Sequence, residues 1–156
     1  MTLLSQLAAL LAILSTGIIY GTDAFCAIVQ RPALAQVDDA TLTAVMGNLH
    51  RYGDQRLPAP GILGVIAAAA AAALAATAGR TTAAISAGAA FLLLTTWVLI
   101  YLRISAPINR RLTAAANAHE TPTNARSWQQ DWDRVIVPRA ALQGLAILAL
   151  GTSLIG

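Results

Sequence analysis

Residues 60–103 read PGILGVIAAAAAAALAATAGRTTAAISAGAAFLLLTTWVLIYLR. A helix of about 20 apolar residues crosses the hydrocarbon core of a bilayer. Residues 60–78 meet that requirement with little besides Ala, Leu, Ile and Val, and residues 82–103 meet it again. Between them Gly79-Arg80-Thr81 makes a short turn, with Gly ending one helix and Thr capping the next. The stretch therefore predicts a hairpin of two membrane helices.

Two further spans lie outward from it. Residues 2–29 carry no Lys or Arg, the first base being Arg31, with Pro32 as a stop. Residues 138–155 are apolar again, and Pro138 suits a first helical turn. Ala33-Leu34-Ala35 has the form of a signal-peptidase site. No basic stretch precedes the apolar run, and the run is too long for a signal sequence, so the first helix is expected to be retained.

Composition agrees. The chain has 156 residues, 57% hydrophobic and 11% charged, against about 25% charged in an ordinary soluble domain. Mean hydropathy is +0.64. Too little polar surface remains for a soluble enzyme, a disordered chain or a disulfide scaffold. The expected fold is all-α: one integral membrane four-helix bundle over residues 1–156, with helices at about 2–29, 60–78, 82–103 and 138–155.

All ten basic residues are Arg, and the formal charge is +3. They are spread over the connections, with no basic-aromatic surface for nucleic acid. The two long connections hold most of them, whereas the short turn holds only Arg80. The positive-inside rule then puts both long loops in the cytoplasm and both termini outside. A single Cys, Cys26, allows no internal disulfide and no dithiol relay, which excludes the quinone-linked thiol oxidoreductases. No P-loop, nucleophile elbow or dinucleotide fingerprint occurs.

The long connections carry helical signals of their own. Asp38-Asp39 can cap a helix running to about Gln55, with Leu42, Val45, Met46, Leu49 and His50 on one face. That predicts an amphipathic interfacial helix between the first and second membrane helices. Trp128 and Trp132 stand four apart before the last span, as an interfacial aromatic belt does. Gly17 and Gly21 form a GxxxG packing motif.

The polar residues within this apolar frame are the candidate site. Asp23 lies in the first span and shares a face with Thr16 and Tyr20. A charge there faces the bundle interior or water. It can act as a base, a proton carrier or a metal ligand, or pair structurally with Arg103 or Arg139. His50 stands four before Asp54, so the carboxylate can orient the imidazole. His50 can serve as a base, as a metal ligand or as the sole axial ligand of one haem. Two-haem bundles need four histidines, and the chain has two. His119 and Glu120 fall in a polar loop. A closed zinc site would need four ligands, and the two histidines and one cysteine lie in different segments.

Two strings carry a resemblance. One is Ala106-Pro107-Ile108-Asn109-Arg110-Arg111-Leu112, a P-x-N-x-x-L pattern after the third span. The other is Trp128-x3-Trp132-x6-Arg139, leading into the fourth. With four membrane helices in this length, the chain resembles the anthrone oxygenase-like family of small membrane proteins. The resemblance implies insertion of oxygen into an anthrone to give an anthraquinone. It marks Pro107, Asn109, Trp128, Trp132 and Arg139 as matching positions. The family often has a His three before that Arg, where this chain has Ile136, so His50 would have to supply the imidazole.

The combined expectation is a pocket at the cytoplasmic mouth. It is lined by Asp23, His50, Asn109, Trp128, Trp132, Arg139 and Tyr20, and takes a lipophilic aromatic molecule from the lipid bilayer. His50 or Asp23 would remove a proton, with Arg139 and Asn109 stabilising the resulting oxyanion. The cofactor is either none or a haem or metal ion bound through His50. No nucleic-acid partner is expected, and a homo-oligomer is left open. The alternatives are a small proton-coupled transporter using Asp23 and a non-catalytic membrane scaffold or subunit.

Overall fold

The structure is a computed structural model and describes residues 2–155. Those residues form helices joined by short turns, with no strand among them. Four rods are long and apolar enough to cross a membrane: Leu3–Leu34, Pro58–Thr77, Thr81–Ala118 and Ala125–Ile155. In chain order α1 (Thr2–Phe25) passes through a π turn (Cys26–Gln30) into α2 (Arg31–Leu34), followed by α3 (Asp39–Arg56) and α4 (Pro58–Thr77). Then α5 (Thr81–Ile100) passes through a second π turn (Tyr101–Ser105) into α6 (Ala106–Ala118), and α7 (Ala125–Ile155) ends the chain.

The rods pack as a ring, α1 against α4 and α7, and α5 against α4 and α7. Their shared core is small: Ala12, Ala68, Ala71, Ala87, Ala90 and Ala146 are buried, with Leu94 and Leu150. Small side chains let helix backbones approach closely, and van der Waals packing holds the bundle together.

Three rods, of 32, 38 and 31 residues, are longer than the hydrocarbon core of a bilayer. The 38 residues of Thr81–Ala118 extend about 57 Å at 1.5 Å per residue, against a hydrocarbon core of about 30 Å. The excess, α2, α6 and the first half of α7, extends beyond the ring and packs with α3 around a second core that includes Leu34, Leu42, Met46, Leu112, Trp132 and Ile136. The molecule is thus a four-helix ring under a cap.

α3 begins where expected. Asp38 is its N-cap, and its carboxylate accepts from Thr41 N–H at 2.7 Å. The predicted apolar face divides, however: Leu42, Met46 and His50 are buried, while Val45 and Leu49 are exposed. α3 lies on α6 at Gly47, where an added Cβ would collide with the Leu112 carbonyl and the Ala116 methyl. Thr113 Oγ1 donates to Gly47 O at 3.1 Å across that contact. Arg126 ties the cap to the chain before α3, donating to Asp39 Oδ1, Leu34 O and Val37 O.

Several boundaries differ from the sequence expectation. Pro32 does not stop the first rod but sits in the first turn of α2. Pro138 lies inside α7, which starts at Ala125, so residues read as a connection are helix. A proline removes one backbone bond, a loss that packing against neighbouring helices can absorb. Gly79 ends its helix at φ +72° as expected, but Arg80 and not Thr81 holds the N-cap position of α5, without a side-chain cap bond. Gly17 and Gly21 meet nothing within 4 Å, so they mark no close crossing in this chain; Gly64 does, packing on Thr16.

Candidate functional site

Between the alanine ring and the cap lies a cavity of about 640 Å³. α3 roofs it. Asp23 from α1 lines it, as do Trp97 and Tyr101 from the third rod and Trp132 and Arg139 from α7.

The register of two helices puts these residues together. On α7 the buried face runs Gln129, Trp132, Ile136, Arg139, Gln143, Ala146 and Leu150, a helical period. On the third rod Trp97, Tyr101, Ser105 and Asn109 recur every four residues. Four residues overshoot one α-helical turn by about 40°, so three such steps would carry Asn109 off the cavity. The π turn at Tyr101–Ser105 takes more residues per turn and cancels the drift. Trp97, Tyr101 and Asn109 all line the cavity as a result.

Two polar groups result. The first is a buried ion pair: Arg139 Nη2 donates to Asp23 Oδ1 at 3.0 Å, and the two side chains are 6% and 5% exposed. Gln143 Nε2 donates to Asp23 Oδ2 at 2.7 Å, and Arg139 Nη1 donates to Ser105 Oγ at 2.7 Å. The guanidinium also lies 5.6 Å from the centroids of both the Tyr101 and Trp132 rings. An aromatic face attracts a cation most when both are desolvated. The second group is Asp54, whose Oδ1 accepts from Tyr101 Oη and Asn109 Nδ2, each at 2.8 Å.

His50 sits beside these groups, its ring 5.4 Å from that of Trp132. The expected His50–Asp54 bond is absent, because Asp54 turns to Tyr101 and Asn109 instead. Asn109 spends an amide donor on Asp54. Burial, and then the charge of Arg139, push the imidazole down to about 3. His50 is therefore neutral at neutral pH and does not switch there.

That shift has a sign that can be tested. The unfolded chain takes up a proton at His50 below about pH 6.5, whereas the native chain does not until about 3. Native stability should fall as pH drops across that window, by up to about 1.4 kcal/mol per pH unit. Melting in detergent from pH 7 to 5 should show the wild type losing about 2 kcal/mol more than His50→Gln. Parallel curves would contradict the assignment.

Of the residues singled out from sequence, Asp23, His50, Asn109, Trp132 and Arg139 line one cavity. Trp128 and Tyr20 do not. Trp128 lies under Arg111, 5.7 Å from its ring centroid, and Tyr20 packs its ring on Gly144. His119 is the exposed left-handed C-cap of α6, at φ 56°. Sequence reasoning missed Trp97, Tyr101, Ser105 and Gln143. Gln143 had a signal: it stands one turn after Arg139 in an apolar span.

Among the described residues no group of three or more His, Cys, Asp or Glu could hold a metal ion. His50 has no second ligand beside it, since Asp54 is engaged elsewhere. His50 is thus not part of a three-ligand metal site among the described residues.

Buried polar atoms without a hydrogen-bond partner on the cavity-lining residues include Gln30 Oε1, His50 Nε2, Asn109 Oδ1, Trp132 Nε1 and Arg139 Nε. Such atoms cost about 1–3 kcal/mol each when left unpaired.

The class that fold and site define is an all-helical bundle with four helices long and apolar enough to span a membrane and an aromatic-walled cavity under its cap. No family model matches the chain, and no curated protein or solved structure matches it.

Proposed function

We propose that this protein spans the membrane four times and binds a flat, lipophilic aromatic molecule in the cavity beneath α3. We further propose that it oxygenates that molecule, as the resemblance to the anthrone oxygenase-like family implies. The observation that carries the binding reading is the wall. Trp97, Tyr101 and Trp132 present rings to a cavity of about 640 Å³, within the roughly 300–1,000 Å³ that small-molecule sites occupy. The polar atoms are few, and they lie on the residues around Arg139.

The chemistry follows from the substrate. An anthrone has an acidic CH₂ conjugated to its carbonyl. Loss of one proton leaves the electron pair delocalised onto the carbonyl oxygen. The anion reacts with O₂ to form a carbon–oxygen bond and, after proton return, a hydroperoxide. Loss of water then breaks the O–O bond and leaves a second carbonyl: anthrone plus O₂ gives anthraquinone plus water. The chain's part is to exclude water and to face the developing oxyanion with Arg139 Nε–H and Trp132 Nε1–H, both unpartnered. Donors placed in advance at such an oxyanion are the largest contribution in this kind of reaction. The arginine-rich cap end would lie in the cytoplasm, with Arg80 on the outer turn.

Oxygen uptake tests this. Purified protein in liposomes, given 1,8-dihydroxyanthrone, should consume O₂ faster than protein-free liposomes. Trp132→Phe keeps an aromatic ring, smaller than the indole, and removes the N–H, and should slow uptake about 100-fold. Uptake no faster than in empty liposomes would overturn the oxygenase reading and leave transport through Asp23, or a scaffold role.

A further inference from the structure

The chemistry above needs a group that accepts the substrate's proton and passes it to water. His50 is a poor one: it is buried, and the Arg139 guanidinium beside it opposes a second positive charge on the imidazole. Asp23 has both oxygens engaged, by Arg139 and Gln143, and is 3% exposed. The remaining carboxylate on the wall is Asp54. It lies on α3, outside the four spans, and is partly exposed, so it can exchange protons with water. Its Oδ1 is held from two sides, by Asn109 Nδ2 and by Tyr101 Oη. Tyr101 gives its single hydroxyl proton to Asp54, which leaves its oxygen lone pairs free to accept. It also opens the π turn that sets the cavity wall, and such turns occur frequently at functional sites.

The geometry points to Tyr101 and Asp54 as the proton-accepting pair of this cavity, for a substrate with an acidic C–H or phenolic O–H. The inference rests on the reading above for its substrate class. In the step, the substrate C–H bond breaks and its electron pair stays on the substrate as the enolate. A new O–H bond forms at Tyr101 Oη, while the original Tyr101 O–H bond breaks and its proton binds Asp54 Oδ1. Asp54 then releases that proton to water. Tyr101 is the catalytic residue, Asp54 acts through it, and Asn109 fixes the carboxylate.

Proton transfer can be measured without oxygen. The full chain in nanodiscs is mixed with 1,8-dihydroxyanthrone in D₂O under argon, and deuterium uptake at the reacting carbon is followed by mass spectrometry. The wild type should accelerate exchange over empty nanodiscs. Tyr101→Phe and Asp54→Asn should each slow it about 100-fold, while binding of 1,8-dihydroxyanthraquinone stays within a few-fold of wild type. Asp54→Glu should recover part of the rate. Exchange at the wild-type rate in both variants would overturn the assignment. So would a wild type no faster than empty nanodiscs, or a loss of exchange accompanied by loss of anthraquinone binding. Exchange that persists where O₂ uptake fails would support the pair and count against oxygenation alone.

Discussion

Asp23→Ala is expected to destabilise the protein by about 3–5 kcal/mol, the range for removing one partner of a buried ion pair. The variant leaves Arg139 with Ser105 and two aromatic rings but no counter-charge. Gln143 loses the acceptor of its amide as well. The cost comes from the stranded guanidinium more than from the lost attraction, because taking a charge out of water is expensive. A control follows from the same argument. Asp23→Leu combined with Arg139→Met removes both charges, fills similar volume, and should recover most of the loss. Melting in detergent separates these cases. A single variant within about 1 kcal/mol of wild type would mean the pair is hydrated and not buried.

The second large effect is expected at Gly47. The space where its Cβ would stand is held by the Leu112 carbonyl and the Ala116 methyl. Neither is the end of a flexible side chain, so α3 and α6 must separate. Gly47→Ala should cost about 1–3 kcal/mol, and Gly47→Leu more. The consequence reaches the cavity, because His50 and Asp54 lie on the same helix and line its roof. Gly47→Leu should therefore weaken binding of 1,8-dihydroxyanthraquinone as well as lower the melting temperature. Wild-type melting and binding in Gly47→Leu would contradict the packing of α3 on α6.

Much of the frame is readable from local pattern. Four apolar stretches set the four rods, Asp38 announces α3, and Gly79 ends α4, because each rests on composition or on bonds to near neighbours. Pro32 and Pro138 misled because proline stops a helix in water more reliably than it does inside a packed bundle. The two π turns left no mark in composition, and the one at Tyr101–Ser105 decides which face of the third rod meets the cavity. Asp23 and Arg139 drew notice as charges in apolar surroundings, and one of the two pairings expected for Asp23 is the one formed. Tyr101 and Gln143 did not draw notice: their roles depend on partners 47 and 120 residues away in sequence. The His50–Asp54 spacing pointed to a bond within one helix, but a carboxylate takes the donors that tertiary packing brings to it.

Quenching of tryptophan fluorescence by 1,8-dihydroxyanthraquinone, titrated into nanodisc-embedded protein, tests the central claim most directly. Trp97 and Trp132 line the cavity, and Trp128 does not. The account predicts saturable quenching with one ligand per chain, retained when Trp128 is replaced by Phe and greatly reduced when Trp97 and Trp132 both are. Quenching that rises linearly with dye in the lipid, and is the same in all three proteins, would contradict it.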